Sequence, residues 1–134
     1  MNLFQFGGKV KVFLMENSPE LRVELLERLS NLVNINIIGT SDDSDVGLVS
    51  IVKLKPDVVI FDNYFFSEED PSEEIFTYQK IKKINPKVKL IIVDRAPNSN
   101  CCPEGTTDLV DYCAENFTSL EKIIKELERE YGKC

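Results

Sequence analysis

The sequence predicts a single α/β domain built as three layers around a five-stranded parallel sheet. Two observations lead to this prediction. First, short apolar runs rich in β-branched residues alternate with segments in which leucine and isoleucine recur at helical spacing. Second, the chain has 134 residues, 43% of them hydrophobic and 29% charged, which suits one domain around one core. Continuous apolar strands that alternate with amphipathic helices favour a parallel sheet covered on both faces.

The first half of the chain supplies two strands and two helices. The strands are predicted at Val10–Met15 and Asn34–Thr40. Between them, Ser18-Pro19-Glu20 is typical of a helix start, because serine caps a helix and proline suits its first turn. The apolar positions of that helix are Leu21, Leu25, Leu29 and Leu32. A second helix, ending before Lys55-Pro56, is indicated by Val46, Val49 and Val52.

The second half supplies three strands and two helices. The strands are predicted at Val58–Phe61, Val88–Val93 and Leu109–Ala114. Capping boxes predict the helix starts at Asp70-Pro71-Ser72-Glu73 and Thr118-Ser119-Leu120-Glu121. The first of these helices runs to about Ile84. Prolines, a glycine and asparagines in Pro97–Asp108 predict that the helix expected between strands four and five is shortened or lost.

Charge and hydropathy exclude two classes of partner. The formal charge is 16 − 23 = −7, and the sequence contains no cluster of basic residues. We therefore expect no nucleic-acid binding. No apolar run is long enough to cross a bilayer, and Met1–Gly8 lacks the features of a signal peptide. We therefore predict a cytoplasmic protein with a leader over residues 1–8 and one domain over residues 9–134. We also expect that no DNA-binding or enzymatic output domain is attached.

Cysteine and histidine usage narrows the chemistry further. The chain contains no histidine, which excludes histidine-based metal sites and catalytic triads, and we expect no enzymatic activity. Four cysteines, three of them in the last quarter, do not resemble a disulfide framework. The adjacent Cys101 and Cys102 fit two interpretations, a pair of reduced loop thiols or a vicinal disulfide with a regulatory role.

Acidic residues follow four of the predicted strands. They are Glu16, Asp62, Asp94 and Glu115, with Asn17 and Asn116 next in sequence to the first and last. In an open parallel sheet the carboxyl ends of the strands form the crevice where ligands bind. The sequence therefore predicts a shared acidic crevice, although single acids at strand ends are also common as solvated residues.

Four segments share the spacing of one known family. They are Val12–Pro19 (VFLMENSP), Lys55–Asp62 (KPDVVIFD), Val88–Val93 (VKLIIV) and Glu115–Thr118 (ENFT). Together they resemble the receiver (CheY-like) domain of two-component response regulators, over about residues 9–131. The resemblance implies a flavodoxin-like strand order. It also implies a site at which an aspartate accepts a phosphoryl group from a histidine kinase, with Mg²⁺ bound alongside.

The resemblance assigns roles to the residues of the crevice. Asp62 matches the phosphoacceptor, and Tyr64 would offer the backbone carbonyl that binds the metal. Glu16 matches the first of two acidic metal-binding positions. The second position holds Asn17, a neutral oxygen donor and therefore a weaker ligand for a hard cation. We accordingly expect at most weak Mg²⁺ binding by these four residues.

Two further positions depart from the family pattern, and a third residue lies near a position where the family has an aromatic. Asp94 occupies the place of a threonine or serine that bonds the new phosphate. Glu115 or Asn116 occupies the place of a lysine, and Tyr112 lies near an aromatic switch position. Two like charges about 4 Å apart cost roughly 4 kcal/mol at an effective dielectric constant near 20. Because each ~1.4 kcal/mol is a tenfold change in rate, we expect phosphorylation to be strongly impaired.

Two functional hypotheses follow. The first is a stand-alone, atypical receiver domain that acts in signalling as a protein-interaction module, independently of phosphorylation. Its partner would be another protein, for example a histidine kinase or a second copy of the chain. The alternative is a working receiver that is phosphorylated on Asp62. For Phe65 and Phe66, which follow Asp62, we expect inward packing; an exposed apolar patch is the other interpretation.

Overall fold

The computed structural model describes residues 10–66, 71–94 and 108–131, which form five strands and four helices. The strands are β1 (Val10–Met15), β2 (Ile35–Ser41), β3 (Val58–Asp62), β4 (Lys89–Val93) and β5 (Tyr112–Ala114). The helices are α1 (Pro19–Ser30), α2 (Ser44–Leu54), α3 (Pro71–Ile84) and α4 (Phe117–Tyr131). All strand pairings are parallel, in the order β2-β1-β3-β4-β5. This is the predicted three-layer, flavodoxin-like α/β architecture.

Side-chain caps fix where the first two helices begin. Ser18 has an extended backbone, and its hydroxyl accepts a hydrogen bond from the Leu21 N–H at 3.3 Å. Asp43 does the same for α2, with its Oδ2 atom 2.9 Å from the Val46 nitrogen. Each cap satisfies a backbone donor that has no partner within the helix. These caps set the point at which the chain leaves β1 and β2 on its way back across the sheet.

The core has two parts, one on each face of the sheet. On one face, Leu25 and Leu29 of α1 and Ile124 of α4 pack against the strands. On the other, Ile51 of α2 and Ile81 of α3 do the same. β1, β3 and β4 are buried along almost their whole length, as expected for strands covered on both faces.

The order of the strands reverses between β1 and β3. From β1 the chain continues to β2 at one edge, and from β3 it continues towards β4 and β5 at the other. In parallel sheets the crevice above such a reversal is the usual location of a ligand site. Glu16 and Asp62 lie at that point, directly after β1 and at the end of β3.

Several predicted boundaries need correction. β2 lies one residue later than predicted, and β5 has only three residues, because Leu109 and Val110 pack against the core before the strand begins. The last helix begins at Phe117, and its cap is Asn116, whose Oδ1 accepts from the Ser119 N–H at 2.8 Å. The predicted cap at Thr118 is therefore wrong by two residues.

Two further predictions concern residues at or beyond the described ranges. The leader and nearly all of Pro97–Asp108 lie outside them, so the predicted loss of a helix there is not tested. Cys113 in β5 is disulfide-bonded, although the four cysteines do not resemble a disulfide framework. A single crosslink needs only two suitably placed cysteines and no wider framework. Within the described ranges, no helix is long and apolar enough to span a membrane.

Candidate functional site

Three acidic side chains are buried where adjacent strands end. Glu16 after β1 is 0% exposed, Asp62 at the end of β3 is 2% exposed, and Asp94 after β4 is 5% exposed. Asp62 pairs in register with Val93, which places Asp94 one residue beyond it on the neighbouring strand. Three of the four acids that follow the predicted strands are therefore buried at the same end of neighbouring strands.

Asp62 is held by the turn that follows it. Its Oδ1 atom accepts a hydrogen bond from the Tyr64 N–H at 3.0 Å, and its backbone carbonyl accepts from the Phe65 N–H at 2.9 Å. The Tyr64 side chain is 46% exposed. The Asp62 carboxylate therefore already accepts a hydrogen bond from the backbone of its own loop, as is common for aspartates in turns.

Asn17 ties the end of β1 to the same loop. Its Nδ2 atom donates to the carbonyl oxygen of Phe65 at 3.2 Å. Glu16, one residue earlier, accepts from the Ser18 N–H at 3.1 Å and so faces the start of α1. At the position where the family places its principal metal-binding acid, this chain has an amide that donates a hydrogen to a carbonyl.

Asn63 makes a contact that the sequence did not predict. Its Nδ2 atom lies 2.9 Å from Oδ1 of Asp94, and its backbone N–H donates to the Val93 carbonyl at 3.1 Å. The loop after β3 is therefore joined to the end of β4 by both main chain and side chain. The only signal in the sequence is that an asparagine directly follows Asp62.

The remaining predicted positions do not join this cluster. Glu115 is exposed, and Asn116 is committed to capping α4. Tyr112 is half-buried and packs against the core on the face of α1 and α4. The charge of Glu115 is therefore screened by water, and Asp94 is the added anion that lies in the buried part of the crevice.

The ion pairs that join two described residues lie away from the crevice. They are Arg28–Glu24 on the surface of α1 and Lys82–Asp111 at the start of β4. Lys82 is 2.6 Å from Asp111, whose Oδ2 atom also accepts from the Leu90 N–H at 2.8 Å. Neither pair supplies the cation that the family places beside its phosphoacceptor.

The donor set of the crevice does not fit the magnesium site implied by the family. Asn17 presents N–H to the loop at a position where a metal requires an oxygen, and one oxygen of Asp62 is shared with the Tyr64 N–H. In residues 10–66, 71–94 and 108–131, no three acidic or cysteine side chains lie close enough together to hold a metal. The crevice differs from the magnesium site of the family because of the residue types at these positions.

An aromatic cluster lies behind the Asp62 loop. Phe65 and Phe66 are 9% and 8% exposed, and each ring packs within 5.6 Å of Phe61, centroid to centroid. The prediction of inward packing is confirmed. Tyr78 of α3 completes the cluster, and its hydroxyl donates to Glu74 at 2.6 Å. Burial raises the pKa of the Glu74 carboxyl above its ordinary value, and the hydrogen bond from Tyr78 opposes that rise.

Solved structures identify this architecture. The isolated REC domain of RcsB from Salmonella enterica serovar Typhimurium, determined with the phosphomimetic BeF3⁻, superposes with a TM-score of 0.74 and 19% identity. That comparison covers 90% of this chain and 89% of the other. The chain has the receiver fold. The signal receiver domain of the putative response regulator NarL from Mycobacterium tuberculosis gives a TM-score of 0.71 at 17% identity, covering 90% of this receiver-fold chain and 97% of its own.

Sequence comparison finds a relative whose chain is much longer. A protein-glutamate methylesterase/protein-glutamine glutaminase of Geobacter sulfurreducens is 24% identical over 117 residues, which cover 87% of this receiver-fold chain. The chain spans 30% of the length of that relative. No family model matches the sequence. These comparisons confirm the predicted resemblance at the level of fold.

Proposed function

We propose that this receiver-fold chain acts in signal transduction as a protein-interaction module whose crevice does not work as a phosphoryl switch. The observation that carries the proposal is the side-chain bond between Asn63 and Asp94, directly beside Asp62. Asp94 is a buried carboxylate that is already bound to the loop after β3. This supports the proposal because the family resemblance assigns a phosphate-binding hydroxyl to its position.

The electrostatics of the crevice support the same conclusion. A phosphoryl group on Asp62 adds roughly 1.5 to 2 negative charges at neutral pH. Asp94 and Glu16 are buried at the same end of the strands as Asp62, where water screens charges less than at the surface. Each repulsion of this kind is worth up to about 4 kcal/mol at contact distance and moderate dielectric, which corresponds to a rate loss of several orders of magnitude.

A hydrogen bond in the crevice also makes a connection between two segments that the metal makes in the family. In the family, Mg²⁺ connects the end of strand one to the loop after strand three. Here the Asn17 amide makes that connection through Phe65, without a cation. The loop is thereby held in one arrangement, and binding surfaces that depend on it are available constitutively.

One observation favours the alternative, a working receiver. Asp62 is present at the end of β3, and the exposed Glu115 leaves its own charge in water. If a phosphodonor supplied enough binding energy to displace the Asn63 side chain from Asp94, a histidine kinase could phosphorylate Asp62. The two functions make opposite predictions for a phosphate mimic.

Titration with beryllofluoride and Mg²⁺, followed by amide NMR, tests the proposal. We expect no saturable shifts at Asp62, Asn63, Tyr64 or Tyr112 in the native chain. The matched control combines Asn17→Asp with Asp94→Thr, which restores one acid ligand and one hydroxyl. This variant is expected to show saturable shifts around Asp62. Saturable binding by the native chain would establish the alternative.

A further inference from the structure

An apolar groove lies between the C-terminal ends of α2 and α3, on the face of the sheet opposite α4. It has a volume of about 420 Å³ and is lined by Ile51, Val52, Lys55, Pro56, Ile84 and Asn85. We call it the α2–α3 groove. It is near the amino ends of the strands, because α2 runs directly into the start of β3. The groove therefore lies at the opposite end of the strands from Asp62.

A stripe of exposed valines leads into this groove. Val46, Val49 and Val52 are 60%, 56% and 49% exposed, and their spacing of three residues places them along one side of α2. Ile84, at the end of α3, is 38% exposed and lines the same groove. The stripe spans about 9 Å, at 1.5 Å per residue of helix. Contiguous exposed apolar surface of this kind marks interaction sites on soluble domains.

The surroundings of the groove are basic, although the chain as a whole carries a charge of −7. No acidic residue occurs between Asp45 and Asp57, or between Glu74 and Asp94. Lys55 lines the groove. Lys53 and Lys83 are exposed and directly follow or precede its lining residues Val52 and Ile84, while exposed lysines at positions 80 and 87 are further along the two stretches. Lysine near a helix C-terminus also interacts favourably with the helix dipole. Some of these lysines therefore stabilise α2 and α3 directly. The helix dipole favours lysine at a helix C-terminus, but it does not require that both stretches contain no acidic residue.

We infer that the α2–α3 groove binds an acidic amphipathic helix from a partner protein. The apolar stripe matches about two turns of a helix laid in the groove, and the lysines match acidic residues flanking its apolar face. A second copy of the chain is a poorer occupant, because two chains of charge −7 repel each other. The inference rests on the proposed function only in that the chain acts by protein association.

Selection from a displayed peptide library tests this inference. The library consists of helical peptides with an apolar stripe at i, i+3, i+4 and i+7 and randomised flanking positions, selected against the full chain. We expect the enriched peptides to be net acidic. Val52→Asp in the chain is expected to weaken their binding at least tenfold, because it places a negative charge in the groove, where it repels the acidic residues of the peptide. Lys83→Glu is expected to weaken binding several-fold, and more at low salt than at high salt.

Val33→Asp is the matched control, because Val33 is 82% exposed and lies at the end of α1, away from the groove. It is expected to leave binding unchanged. The inference is overturned if nothing is enriched, if enriched peptides are neutral or basic, or if Val52→Asp binds them as well as the native chain. It is equally overturned if the chain forms a dimer that Val52→Asp abolishes, since a second copy would then occupy the groove.

The outcome is independent of the beryllofluoride titration. An unoccupied groove with a silent crevice leaves the proposed interaction module in place, using another surface. A groove that binds acidic helices in a chain that also binds beryllofluoride would overturn the proposed function and leave this inference standing.

Discussion

Asn63 and Asp94 show how neighbouring residues in a crevice define each other's roles. Strand periodicity and the family resemblance predicted that Asp62 and Asp94 come together, and they do. The bond between Asn63 and Asp94 was not predictable, because Asn63 lies in a loop where no periodicity indicates the direction of a side chain. For the same reason the sequence did not distinguish the exposed Glu115 from the buried Asp94.

Glu74 and Tyr78 form a second polar contact that is buried beside the aromatic cluster. They are one helical turn apart on α3, and their side chains are 2.6 Å apart at the closest oxygens. Removal from water raises the pKa of Glu74 above 4.5. The folded chain therefore binds a proton at this carboxyl more tightly than the unfolded chain does.

Glu74→Gln is expected to stabilise the chain at neutral pH. In the native chain, the stability contributed at Glu74 is fully present below pH 4.5 and is lost as the pH rises through the raised folded pKa. Glutamine keeps an acceptor for the Tyr78 hydroxyl but cannot ionise. Urea unfolding between pH 4 and about pH 8 should show a free-energy difference in favour of the variant that grows as pH rises.

Glu126→Gln on the exposed side of α4 is the control for removing one surface charge. If Glu74→Gln changes the free energy of unfolding no more than this control at any pH, burial of Glu74 does not affect stability as described.

Helix α2 was predicted from its valines, yet the valines are on its exposed side. The side that faces the sheet consists of Gly47 and Ile51, with Leu48 partly buried. Counting apolar residues at helical spacing identified the helix but could not identify its buried face, because both faces of α2 carry apolar residues. The exposed valines instead lead into the α2–α3 groove, which Val52 lines.

Gly47→Ala is expected to lower the free energy of unfolding by about 1 kcal/mol, the low end of the range for an overpacked core, because the atoms it meets end a flexible methionine side chain. A Cβ atom at Gly47 would be 2.5 Å from the sulfur and terminal methyl group of Met15, which is fully buried. Helix propensity alone predicts the opposite sign, a gain of up to about 1 kcal/mol. Chemical denaturation of the single variant distinguishes the two.

A double-mutant cycle attributes the loss to this contact. In a Met15→Ala background, Gly47→Ala is expected to cost less, because the atoms it would meet are gone. An equal cost in both backgrounds would show that Met15 is not the cause.

The ends of the elements were predicted less well than the elements themselves. Ser18 was correctly identified as a cap because proline and glutamate follow it directly. At α4, two candidate caps lie two residues apart, and local sequence does not decide between Asn116 and Thr118. Similarly, the run from Leu109 to Ala114 is apolar except at Asp111, but only its last three residues pair in register with β4.

At the scale of the whole molecule, a receiver fold is combined with an altered crevice. The fold was predictable, because alternating buried strands and helices leave few ways to cover both faces of a parallel sheet. The carboxyl ends of the strands then bring Glu16, Asp62 and Asp94 together whatever their chemistry. The fold is thus retained with Asp62 in place, while the family resemblance assigns other residue types to the positions held by Asn17, Asp94 and Glu115. Function must therefore be argued from the site.

The most direct test of this account is the mass of the intact chain after incubation with a small acyl phosphate and Mg²⁺. We predict no phosphorylated species for the native chain. A variant that combines Asn17→Asp, Asp94→Thr and Glu115→Lys serves as the positive control and should gain one phosphoryl group at Asp62. Stoichiometric phosphorylation of Asp62 in the native chain would contradict the account.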